Sequence, residues 1–70
     1  MQNYLTILIN GEPFHCNSNM SLTNILLYLD IHIDNIVVEY NQQIISKNNF
    51  NTLFLKHNDS LEIITIVGGG

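Results

Sequence analysis

Between Tyr4 and Asn17 the chain reads YLTILINGEPFHCN. Leu5, Ile7 and Ile9 alternate with Tyr4, Thr6 and Leu8, the two-residue period of a strand. Asn10-Gly11 follows at once. Both residues tolerate the positive φ that a type I′ turn demands, which makes this dipeptide the strongest short-range hairpin signal. The chain therefore turns back into a second strand, with Phe14 and Cys16 on one face and Pro13 and His15 on the other. Pro13 has no N–H to donate, so this strand belongs at a sheet edge or begins near that residue.

Beyond the hairpin, residues 19–30 read NMSLTNILLYLD. Leu22, Ile25, Leu26 and Leu29 fall at i, i+3, i+4 and i+7, one face of a helix. Ser21 is placed to cap it, and Met20 to pack on Ile25 as a hydrophobic staple. The helix is expected to end near Asp30 or Ile31. NIVVEYNQQII, residues 35–45, then reads as a strand with a polar turn at Asn41 to Gln43. FNTLFLKHNDSLEIITIV, residues 50–67, reads as a short apolar segment, a turn at Asn58-Asp59 and a final strand.

The order is hairpin, helix, strand, short strand, strand. It predicts an α+β domain over residues 1–70, a small mixed sheet packed on one main helix, with 68–70 a flexible tail. A right-handed crossover would set the strand after the helix, or the last strand, parallel to the first. In the last strand Leu61, Ile63, Thr65 and Val67 alternate with Glu62, Ile64 and Ile66. The face bearing Glu62 is assigned to solvent, because an unpaired buried carboxylate is costly. Ile64 and Ile66 are then exposed. With Leu8 beside them they would form an apolar patch of the kind that marks a partner site, so Leu8, Ile64, Ile66 and Val67 are the candidate partner-binding residues.

Composition narrows the function. Of the 70 residues, 46% are hydrophobic and only 11% charged, with a formal net charge of -4 and two lysines, Lys47 and Lys56. Neutralising a phosphate backbone takes clustered Lys or Arg, so nucleic acid is excluded as a partner. No apolar run approaches the ~20 residues that span a bilayer, and the first ten residues lack the basic segment of a targeting peptide. A single cysteine, Cys16, rules out an intramolecular disulfide and points to a reducing compartment. Asn and Ile are abundant while Arg and Ala are absent. That bias suits an AT-rich genome, hence a bacterial cytoplasm or, for a plastid-encoded protein, the stroma.

The chain closes on Gly68-Gly69-Gly70. Without side chains such a tail reaches roughly 10 Å, at about 3.4 Å per residue, and threads a channel too narrow for any other residue. It would deliver one reactive group, the terminal carboxylate of Gly70, into another protein's active site. Ordering it there costs about 1–2 kcal/mol per residue. Burying ~200 Å² of the neighbouring apolar face contributes on the order of 5 kcal/mol in return.

LINGE, SLTNILLYL, IVVEYNQQII and the ending NDSLEIITIVGGG together resemble the sulfur carriers of thiazole and thiamine biosynthesis, members of the ubiquitin-like β-grasp family. The resemblance runs along essentially the whole chain. It implies a carrier that is not itself an enzyme, binds no cofactor and is monomeric when free. An adenylating, E1-like enzyme would use ATP and Mg²⁺ to convert the Gly70 carboxylate into an acyl-adenylate. A cysteine desulfurase or other persulfide donor would then supply sulfur, and the thiocarboxylate on Gly70 would pass it to thiazole synthase. Gly68 and Gly69 carry over as the tail that makes both visits. The carrier subunit of molybdopterin synthase shares the fold and the Gly-Gly end, and ubiquitin-like modifiers or binding modules share the fold. Short length and the VGGG ending favour the thiazole branch.

Other residues carry less. Cys16 on an apolar strand face reads as packing. His15, His32 and His57 lack the close spacing of a metal site, so no metal is expected. Asp30 and Asp34 lie where a helix end meets a solvated loop, not where an acid-base pair would be desolvated.

Overall fold

The structure is a computed structural model, and it describes residues 4–66. Strands β1 (Tyr4–Ile9) and β2 (Glu12–Asn17) form the hairpin, followed by helix α1 (Leu22–Tyr28). Strands β3 (Ile36–Tyr40), β4 (Gln43–Ile45) and β5 (Ser60–Thr65) complete a five-stranded sheet in the order β2-β1-β5-β3-β4. β1 and β5 run parallel at the centre, flanked by antiparallel β2 and β3. Pro13 accordingly lies on an edge strand. The last strand, rather than the one after the helix, is the parallel neighbour of β1.

Leu5 and Ile7 of β1, Cys16 of β2, Leu22, Ile25 and Leu26 of α1, Ile36 and Val38 of β3 and Leu61 of β5 form the core, closed by Phe50 and Leu55. The alternation read in β1 and the helical spacing read in α1 thus point at each other across one apolar layer. The segment between β4 and β5 is not a strand. It carries a short 3₁₀ turn (Lys47–Asn49) and a single bridge from Phe54 to Ser21, and it serves mainly to lay Phe50 and Leu55 on the core. The polar turn after β3 is tighter than the sequence suggests, with Asn41 and Gln42 at φ 47° and 73° and Gln43 already in β4.

The helix is short and its ends are chemically defined. Ser21 accepts from the Asn24 N–H while the Asn24 side chain accepts from the Ser21 N–H, a reciprocal capping box. At the other end the Asp30 N–H reaches the Leu27 carbonyl at 3.0 Å and the Ile31 N–H the Leu26 carbonyl at 2.9 Å, a Schellman closure. That closure needs a left-handed residue, and Asp30 supplies it at φ 60°. An aspartate there is doubly unfavourable: its Cβ crowds the carbonyl, and its charge faces the negative end of the helix. Asp30→Gly is therefore expected to stabilise the fold by about 1 kcal/mol, raising the thermal midpoint by about 5 °C. An unchanged or lower midpoint in a melt would contradict this account of the cap.

Candidate functional site: the outer sheet face and the root of the tail

The sheet has one face on the core and one outside. On the outer face lie Leu8 of β1, Val37 and Glu39 of β3, Ile44 of β4, and Glu62 and Ile64 of β5. Ile66 follows directly, its N–H bonded to the Asn35 carbonyl at 2.7 Å, which extends the β3–β5 pairing by one step. Ile64 is 47% and Ile66 51% exposed, and Glu62 is exposed as well, so the face assigned to solvent from the glutamate is the solvent face.

Leu8 is also exposed, at 39%, but it does not adjoin the two isoleucines. The parallel register sets Leu8 opposite Ser60, four residues before Ile64. Along a strand that is about 13 Å. β1 turns away at Asn10, so the neighbour of Ile64 is Val37 on the other side of β5. Glu39 and Glu62 lie directly opposite each other between these apolar positions. Like charges so placed repel, and the outer face thus carries Leu8 of β1 beside the start of β5 and Ile64 near its end, with an acidic pair between them. Val67, Gly68, Gly69 and Gly70 lie outside the described residues.

What sequence reasoning missed is how the start of β5 is held. Asp59 is 8% exposed, a buried carboxylate at the turn into β5. Its Oδ2 accepts from the Tyr40 hydroxyl at 2.7 Å and from the Lys56 N–H at 2.7 Å, and its Oδ1 from the Asn41 amide at 3.1 Å. Its own carbonyl accepts from the Leu8 N–H at 2.9 Å. Burial pushes the Asp59 carboxyl up, but the bonds from Tyr40, Lys56 and Asn41, with the Lys56 charge, outweigh it and hold the group below its ordinary value. The partner pays the opposite way: the bond to Asp59, then burial and the carboxylate charge, push the Tyr40 phenol up to about 12. A turn-forming Asn-Asp pair is visible in the sequence. That its carboxylate ties the end of β3 to the start of β5 is not, because Tyr40 and Asn41 are distant in the chain.

Asn41 and Asn10 close their turns onto β5 in the same way. At the β3 turn the Asn41 N–H donates to the Ser60 carbonyl at 2.8 Å, and the Ser60 N–H returns to Asn41 Oδ1 at 2.8 Å. At the β1 turn the Asn10 N–H donates to the Leu61 carbonyl at 2.8 Å, and the Ile63 N–H returns to Asn10 Oδ1 at 2.7 Å.

The remaining sequence candidates fall elsewhere. Cys16 is a free thiol in the core, and burial pushes it up, away from thiolate reactivity. His15 and His57 meet around Thr6, whose hydroxyl lies 2.8 Å from His15 Nδ1 and whose N–H donates to His57 Nδ1 at 3.1 Å. Among the described residues no group of three or more His, Cys, Asp or Glu could hold a metal ion. Nor is any helix among them long and apolar enough to cross a membrane.

Known proteins resemble this chain. Over 66 residues the chain is 44% identical to an uncharacterized protein, ycf40, of Pyropia yezoensis, covering 94% of this chain and 93% of that protein. It is 27% identical over 66 residues to a thiazole synthase of Magnetococcus marinus, which is 94% of this chain but 20% of the synthase. A crystal structure of a thiamine biosynthesis protein (ThiS) from Geobacter metallireducens matches with a TM-score of 0.82 at 23% identity, over 94% of this chain and 100% of that one. The five-stranded mixed sheet with one helix is thus the β-grasp fold. The family model matches residues 7–70, from the middle of β1 through the last glycine, and the chain belongs to the ThiS family.

Proposed function

We propose that this protein is a sulfur carrier for thiazole formation in thiamine biosynthesis, holding sulfur as a thiocarboxylate on Gly70. The observation that carries the reading is the family match running through Gly70, on a fold whose central strand leads into the glycine tail. In this reading a carboxylate oxygen of Gly70 attacks the α-phosphate of ATP on an adenylating enzyme, releasing pyrophosphate. A carboxylate is a poor electrophile and the mixed anhydride a good one, with AMP as leaving group. A persulfide then displaces AMP, and a thiol cleaving the S–S bond leaves the thiocarboxylate.

The enzyme that consumes the sulfur is proposed to be a thiazole synthase, since a segment of the Magnetococcus marinus synthase resembles this chain almost end to end. A carrier-like segment joined to the enzyme it serves is what physical association of the two would favour. The relatives named ycf40 come from plastid genomes, which supports a plastid location. Docking uses the outer face of β5: Ile64 and Ile66 supply apolar area, and the Glu39/Glu62 pair selects a partner surface bearing Lys or Arg.

Intact mass tests the chemistry. After incubation with ATP, Mg²⁺, the adenylating enzyme, a desulfurase and cysteine, the expected gain is one sulfur in place of one oxygen. An unchanged mass, with the same enzymes active on another carrier, would sink the proposal. The docking face has its own test. Ile66→Asp should keep its thermal midpoint, because Ile66 is half exposed, while binding to the adenylating enzyme weakens about 10-fold to 100-fold as a buried aliphatic contact is lost. Unaltered affinity by calorimetry would remove Ile66 from the interface.

A further inference from the structure

In a parallel ladder the residue whose N–H donates to one strand also accepts, through its carbonyl, from the residue two places further along that strand. Asn10 donates to the Leu61 carbonyl, so its own carbonyl should receive the Ile63 N–H. At φ 52° the backbone has already swung into the hairpin turn. Asn10 Oδ1 takes that place instead, at 2.7 Å, and Asn10 Nδ2 lies 3.4 Å from the Ile63 carbonyl. The side-chain amide acts as one more peptide unit of β1. It prolongs the support of β5 to Ile63, beyond the last strand pair, Ile9 with Leu61.

We propose that Asn10 is a positioning residue for tail activation, a role that rests on the carrier reading above. By holding both backbone groups of Ile63 on the side of β5 away from β3, it adds to the β3 pairing in fixing the end of β5 before an enzyme is met. The bound tail then needs less ordering, so apparent affinity for the activating enzyme improves while the chemistry at the carboxylate is untouched. Glycine would satisfy the left-handed turn as well as asparagine does, but it carries no amide to replace the lost carbonyl.

The test compares the full chain with Asn10→Gly and Asn10→Asp by amide hydrogen exchange and by steady-state adenylation. Asn10→Gly keeps the turn and should speed exchange at Ile63 about fivefold or more, as one hydrogen bond is lost, with Leu61 unchanged. Its KM as substrate of the adenylating enzyme should rise about fivefold at constant kcat, the signature of lost binding rather than lost chemistry. Asn10→Asp retains the acceptor for the Ile63 N–H and should recover most of the protection and part of the KM. Ile45→Val, on the edge strand β4, controls for general destabilisation and should leave KM alone. Unchanged exchange at Ile63 would overturn the clamp. Faster exchange with an unchanged KM, or an equal KM rise in Ile45→Val, would overturn the positioning role. A wild-type chain that is never adenylated would remove the carrier reading and this role with it, while the exchange rates would still report the clamp itself.

Discussion

Asp59→Ala is expected to lose about 2–4 kcal/mol of stability at pH 7, because it strands three donors that the fold has aimed at one carboxylate. The Tyr40 hydroxyl, the Asn41 amide and the Lys56 N–H would each have to find water or go without. For a domain of this size the thermal midpoint should fall by about 10–25 °C. Asp59→Asn should fall between the two, since its Oδ1 can still accept while its NH₂ meets another donor. A midpoint within about 2 °C of wild type for Asp59→Ala would show that the turn is held by its backbone bonds alone.

The same group sets an acid limit. Asp59 titrates below its ordinary value in the folded protein, so its stabilisation is present above the unfolded value of about 3.9 and is lost as pH falls through the folded one. Tyr40 works in the opposite sense. Its phenol is raised, so its share is present below the ordinary value of about 10 and is lost as pH climbs towards about 12. Chemical denaturation of wild type and Asp59→Ala should therefore differ most near neutral pH. The gap should narrow below pH 4 and again above pH 10. A gap independent of pH would rule out the carboxylate as its source.

Gly69→Val should reduce thiocarboxylate formation at least 100-fold while leaving the thermal midpoint unchanged, a loss of the size that misplacing a reacting group causes. The substitution leaves Gly70 and its carboxylate in place, so any loss reports the path of the tail and not the reactive group. Valine adds a branched Cβ that restricts the backbone and widens the chain where the enzyme is proposed to close around it. Deleting Gly70 asks the complementary question, because it leaves a glycine carboxylate that stops about 3.4 Å short. Both variants should still bind through the Ile64/Ile66 face and so compete with wild type for the adenylating enzyme. If Gly69→Val is loaded at the normal rate, a glycine-only channel is not part of the mechanism.

Periodicity determined which residues share a face. Leu5 and Ile7, Leu22, Ile25 and Leu26, and Leu61 were legible as strand and helix faces because burial follows the period of each element and needs no knowledge of neighbours. Asn10-Gly11 was legible as a turn for the same local reason. Ile64 and Ile66 were assignable to solvent once Glu62 was, since side chains two apart share a face.

Register was not legible, because it depends on which strands meet. Leu8 looks like a neighbour of Ile64 until β1 and β5 are laid parallel and the offset carries them about 13 Å apart. Asp59, Asn41 and Asn10 read as turn formers that visit left-handed backbone easily, and at Asn10, Asn41 and Asn58 φ is indeed positive. Only the tertiary structure decided that the Asn10 and Asn41 side chains also replace the carbonyls those turns divert. A hydrogen bond between residues far apart in sequence exists only after the strands that carry them have been brought together, and it is there that β5 is held.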